Sequence, residues 1–159
     1  MSAGKQKSAA AKARTAVRSK STPEVGPRTA ALMACLQAKP GAGANPMSAP
    51  RATTPSALIY KVMGKMFAIV SLRGSENVIL KCDPNLAQDL REQYAGVGHR
   101  SHLDRRYWIS VSLDADVPAR EVEQLAGHSY ELVRSSLTRK QQAELAALSC
   151  AGTAAQSHR

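Results

Sequence analysis

From Leu58 to Lys81 the chain reads as strand, turn, strand, turn, strand. Leu58–Val62 and Lys65–Leu72 flank Met63-Gly64, and Gly64 supplies the positive φ that so tight a hairpin turn needs. In the second run Lys65, Phe67 and Ile69 alternate with Met66, Ala68 and Val70, so the two sets face opposite sides of a strand. Arg73-Gly74-Ser75-Glu76-Asn77 forms the next turn, and Val78–Lys81 a third strand. Three strands in direct succession do not belong to an alternating βαβ plan.

Helical signals lie on either side. Gly26-Pro27 opens a helix, because proline suits the first helical position. Leu32, Cys35 and Leu36 give that helix one apolar stripe, and Pro40-Gly41 stops it. Asp83-Pro84 starts a second helix, in which Leu86, Leu90 and Tyr94 recur every four residues before Gly96. Pro118 starts a third, with Glu121 and Glu123 at its dipole-favoured end. Val122, Leu125, Ser129, Leu132 and Ser136 trace one face of it, and Gly127 in its interior implies close packing there. Thr138 and Gln141 have capping-box spacing, which predicts a short further helix to about Leu148.

Between these elements, residues 38–57 hold Pro40, Pro46, Pro50 and Pro55 and read as a long loop. Residues 97–106 read as a charged loop. Tyr107–Leu113 is a strand with Trp108, Ser110 and Ser112 on one side and Ile109, Val111 and Leu113 on the other. A lone tryptophan on an alternating strand reads as a core residue. The order helix, three strands, helix, strand, helix is α+β: a small antiparallel sheet packed against helices. The expected domain spans residues 26–137, followed by a short helix and tail over 138–159. Residues 1–25 carry Lys5, Lys7, Lys12, Arg14, Arg18 and Lys20 against Glu24 alone and have no large apolar side chain. Such a segment cannot repay the entropy of ordering and reads as a disordered basic tail.

The charge narrows the function. Against 12 acids stand 22 lysines and arginines, a net charge of +10 that draws the protein to polyanions. Cys35, Cys82 and Cys150 form no C-x-x-C pair, so neither a disulfide framework nor a zinc ribbon is indicated and a reducing cytoplasm is expected. No apolar run reaches the ~20 residues a membrane span needs, and the N-terminus has no apolar signal core. No membrane partner is expected.

Two constellations carry candidate chemistry. Lys61 and Lys65 flank the Gly64 turn, where long cationic side chains on a protruding hairpin would meet phosphates; edge lysines also keep strands soluble and unpaired. The run His99-Arg100-Ser101-His102-Leu103-Asp104-Arg105-Arg106-Tyr107-Trp108 gathers cations and aromatics that could clamp phosphate or stack on a base. His99, His102 and Asp104 fall short of the three or four well-spaced nitrogen or sulfur ligands that zinc takes, so no metal and no cofactor is expected. Gly-x-Ser-x-Gly, glycine-rich phosphate loops and His-Glu-x-x-His are absent. His128 and Ser129 are helical neighbours, which do not face each other. The reading is therefore not an enzyme.

Four pieces of the chain together resemble the MmcQ/YjbR family. They are Lys61-Val62-Met63-Gly64-Lys65-Met66-Phe67, Leu80-Lys81-Cys82-Asp83-Pro84, His102 with Trp108 six residues on, and His128-Ser129-Tyr130-Glu131-Leu132-Val133. The resemblance covers roughly residues 30–138. It implies a frataxin-like (CyaY-like) fold with a double-wing DNA-binding surface, and so a non-enzymatic protein that binds double-stranded DNA. Under that reading the phosphate- and base-contacting residues are Lys61, Lys65, Arg73, Arg100, His102, Arg105 and Arg106. Two departures stand out: the 38–57 segment is longer and less acidic than in relatives, and Tyr107 stands where a second histidine is common. The alternative is a protein-interaction or small-ligand module whose basic charge is incidental.

Overall fold

Helix α1 spans Pro27–Gln37 and buries Leu32 and Leu36, while Cys35 stays half-exposed. Its first turn is capped from outside. The Glu76 carboxylate accepts from the Gly26 backbone N–H at 2.7 Å and from the Thr29 hydroxyl. An anion here satisfies a helix N–H group and complements the dipole. The structure, a computed structural model, describes residues 25–99 and 102–154, with side chains as far as Ser149. Apart from Val25, the expected tail lies outside the described residues, as does Arg100.

The first correction comes next in the chain. Residues 42–47 are not loop: strand β1, Ala42–Met47, pairs antiparallel with β2, Ala57–Val62. Ala-Gly-Ala-Asn-Pro-Met has little strand propensity, and pairing with β2 overrides it. Pro46 is tolerated because β1 is an edge strand. Strand β3, Lys65–Ser71, follows across a turn with Met63 at φ 48° and Gly64 at φ 80°, the two positive φ values of a type I′ hairpin. Strand β4 is Asn77–Lys81, and helix α2, Pro84–Gln93, starts where Asp83 accepts from the Asn85 N–H at 3.0 Å. Tyr94 is already extended, so α2 ends before Gly96. Inside the expected charged loop sits a two-residue strand, β5, Val97–Gly98. Strand β6, Trp108–Ser112, helix α3, Ala119–Ser135, and helix α4, Arg139–Ala154, complete the chain. Thr138 and Gln141 form the reciprocal capping box, at 3.1 and 3.2 Å.

The six strands form one antiparallel sheet in the order β1-β2-β3-β4-β6-β5. Helices α1 and α3 cover one face. The core on that side is built from Tyr60, Phe67, Leu80, Ile109, Val111 and Leu113, against Leu32, Leu36, Leu125 and Val133. Helix α2 adds Ala87 and Leu90, and α4 adds Leu145. The buried face of α3 carries Val122, Leu125 and Ser129 as expected; Ala126, Tyr130 and Val133 complete it instead of Leu132 and Ser136.

Gly127 does not mark a close helix crossing. A Cβ there would meet only the Lys39 ammonium, at 3.4 Å, the far end of a flexible side chain. Gly127→Ala is therefore expected to stabilise the protein by about 0.5–1 kcal/mol, the helix-propensity gain alone. A urea melt checks this.

The opposite face of the sheet carries no helix among the described elements. Cross-strand register places Ile59, Ile69, Ile79 and Ser110 side by side on it. Beside that row, Lys61 pairs with Met66 and Lys81 with Trp108. Trp108 is thus not a core residue. It lies half-buried on the open face, while Ile109 and Val111 point into the core.

Candidate functional site

Antiparallel pairing sorts the loops between two ends of the sheet. At one end lie the Met63-Gly64 turn, the end of β4 at Lys81, the 102–107 loop that enters β6, and the last turns of α1 and α3. Here sit Lys39, Lys61, Lys65, Lys81, Arg105 and Arg106, with Asp83 and Asp104 as counter-charges. Five carboxylates, Glu76, Asp114, Asp116, Glu121 and Glu123, gather at the other end, alongside Arg28, Arg73 and Arg120. Asp116 accepts from the Gly96 and Ala95 N–H groups at 2.9 and 3.0 Å, and the Gly96 bond above all holds its carboxyl below the usual range.

The expected site residues divide across this layout. Lys61 and Lys65 share the hairpin but not a face: Val62 pairs with Lys65 and Lys61 with Met66, so their side chains alternate. Lys61 belongs to the open face. Lys65 reaches back to donate to the Ser136 carbonyl at 3.0 Å, neutralising the negative end of α3. Arg73, in the turn between β3 and β4 about 20 Å from the hairpin tip, donates to the Thr54 hydroxyl in the loop before β2. The structure does not bring it to the others.

His102, Arg105 and Arg106 come together in one exposed loop. The Arg106 guanidinium donates to both Asp104 oxygens, at 3.1 and 3.3 Å, and lies 5.5 Å from the centre of the Tyr107 ring. That bonding holds the Asp104 carboxyl below, and the Arg106 guanidinium above, their ordinary values. The Arg106 side chain is 74% exposed, so the pair contributes little stability and can exchange Asp104 for another anion.

Sequence reasoning missed Arg91. From α2 its Nη2 donates to the Arg105 carbonyl at 2.6 Å and the Trp108 carbonyl at 3.2 Å, tying the loop to the helix. Among the described residues its buried Nε has no partner. Arg91, Arg105 and Arg106 line one open groove along α2 with Pro84, Asn85, Gln88 and a single acid, Glu92. A lysine or arginine in the last turn of a helix ordinarily serves the dipole, so nothing in the sequence sets Arg91 apart.

In the His128-Ser129-Tyr130 segment, Ser129 and Tyr130 serve the fold, while the buried His128 Nε2 has no partner among the described residues. The Ser129 hydroxyl donates to the Phe67 carbonyl and accepts from the Lys81 N–H at 2.9 Å, filling the place where β3 and β4 part. The Tyr130 hydroxyl donates to the Pro40 carbonyl at 2.6 Å. Burial, with Asp83 beside it, pushes the Cys82 thiol up to about 11, so it stays protonated and unreactive near neutrality. Among the described residues no three His, Cys, Asp or Glu side chains converge on one point, and no helix is long and apolar enough to cross a membrane.

Comparison with known proteins places this architecture. Relatives include the uncharacterized protein YjbR of Escherichia coli K12, 33% identical over 101 residues, covering 63% of this chain and 81% of the relative. The uncharacterized protein YbdF of Escherichia coli O157:H7 is 28% identical over 85 residues, covering 53% and 70%. Among solved structures, Deinococcus radiodurans protein DR2400, with domain DUF419, superposes with a TM-score of 0.62 at 26% identity, over 72% of this chain and 85% of that one. A Pseudomonas syringae protein shares the fold with a TM-score of 0.52 at 21% identity, over 65% and 96%. The YjbR family model matches residues 38–132, and the chain belongs to the YjbR family.

Proposed function

We propose that the protein binds nucleic acid, double-stranded DNA in the first instance, through the cationic end of its sheet. One observation carries the reading. The exposed 102–107 loop, held to α2 by Arg91, presents Arg105 and Arg106 beside an N-terminal helix end, at the end of the sheet where Lys61 and Lys81 also emerge. Long cations on a fixed, protruding backbone contact phosphates, and the net charge of +10 steers the encounter. Lys65 and Arg73 stand outside the contact set: Lys65 turns to the helix side of the sheet, and Arg73 lies at its other end.

The salt dependence of binding tests this. Each lost phosphate contact removes about 0.9 from the slope of log K against log salt on duplex DNA. Replacing Lys61, Arg105 and Arg106 together with glutamine is expected to flatten that slope by between two and three, with melting unchanged because exposed cations add little stability. Lys65→Gln and Arg73→Gln are expected to leave the slope where it was. An unchanged slope in the triple variant refutes the assignment of phosphate contacts to this end.

A further inference from the structure

The open face of the sheet is unlike a solvated one. Antiparallel sheets with one free face carry polar residues there. Here three isoleucines, Ile59, Ile69 and Ile79, stand in register across adjacent strands at the middle of the face. Beside them lie Lys61 with Met66, on β2 and β3, and Lys81 with Trp108, on β4 and β6. Strands β2, β3, β4 and β6 contain no aspartate or glutamate. The face is thus apolar at its centre, cationic to one side of it, and bears the single tryptophan of the chain.

We infer that this face is a seat for a single nucleic-acid strand. The inference deepens the proposed function and rests on it. The chemistry separates a single strand from a duplex. A duplex offers its outer surface as hydrated phosphates and keeps its bases stacked, so the isoleucine row and Trp108 gain nothing from it. An unpaired strand exposes the π-faces of its bases, which stack on an aromatic ring and cover apolar surface while lysines hold the backbone. The row Lys81-Trp108 continues directly into the loop bearing Arg105 and Arg106, so a strand leaving the sheet stays on cationic surface. Lack of acid on the face fits a polyanion better than a protein with mixed charge.

Because the chain has one tryptophan, its emission reports this face and no other. The full chain is titrated with a short oligothymidylate, with a duplex, and with oligoglutamate, at two salt concentrations. The single strand is expected to quench Trp108 in a saturable, salt-dependent way, and the duplex to bind without quenching. Trp108→Leu should weaken oligothymidylate binding, read by polarisation, roughly five- to 150-fold, the range of one base–aromatic stack. Lys61→Gln with Lys81→Gln, which leaves the ring in place, should lower the single-strand salt slope by about 1.4. Oligothymidylate binding that neither quenches Trp108 nor responds to these variants overturns the inference and leaves the loop end as the binding site. Quenching by oligoglutamate but not by oligothymidylate overturns it in favour of an acidic protein partner. Loss of duplex binding in the Lys61, Arg105 and Arg106 variant, with Trp108 quenching by the single strand kept but weakened, supports both readings. Failure of both nucleic acids to bind removes both.

Discussion

Phe67→Ala is expected to cost about 3–5 kcal/mol of stability, whereas Trp108→Ala should cost less than half as much. Phe67 is fully buried, with its ring 5.4 Å from that of Tyr130 in an edge-to-face pair and 6.3 Å from that of Tyr60. Truncation removes its transfer energy, leaves a cavity and breaks both ring contacts. Trp108 is larger but only partly buried, so less apolar surface returns to water when it is cut. Urea denaturation of the two variants side by side decides the matter. Equal costs would mean that the face bearing Trp108 is covered in solution.

Ser129→Ala is expected to cost about 2–4 kcal/mol, far above the usual effect of deleting one hydroxyl. Ser129 is completely buried and serves two backbone groups at once, accepting from the Lys81 N–H and donating to the Phe67 carbonyl. These two groups sit where the β3–β4 ladder has ended, since the last register pair there is Ala68 with Leu80. Alanine fits the space but leaves a buried donor and a buried acceptor unpaired, each costing about 1–3 kcal/mol. The denaturation midpoint should fall with the m-value unchanged. A variant within about 0.5 kcal/mol of the parent would show that the strands close up without the hydroxyl.

Much of this architecture is legible in the residues. Asp83-Pro84, Met63-Gly64 and the Thr138–Gln141 box are local signals whose physics is complete within a few residues, and each marks its element where expected. Strand β1 was hidden because its stability comes from β2, a partner ten residues on, and not from its own side chains. Trp108 shows a different limit. Alternation tells which residues of β6 share a face, but not which face the helices cover. The hairpin lysines were open to a better reading: a two-residue turn makes Val62 and Lys65 partners, so Lys61 has to project the other way from Lys65. Arg91 acts through carbonyls of the 102–107 loop and of Trp108, contacts that exist only once the chain is folded.

The two borders of the sheet bear on how the protein behaves when concentrated. An exposed strand is a template on which another chain can add itself, the first step toward fibrils. On one border β1 presents Pro46, which has no N–H to offer, beside Gly43, whose freedom resists a regular extension. On the other, β5 is two residues long and ends before it can hold a ladder. Both borders thus limit the ladder an incoming strand could form. A protein whose free sheet face carries a row of partly buried isoleucines thus offers little edge for sideways growth into ordered aggregates.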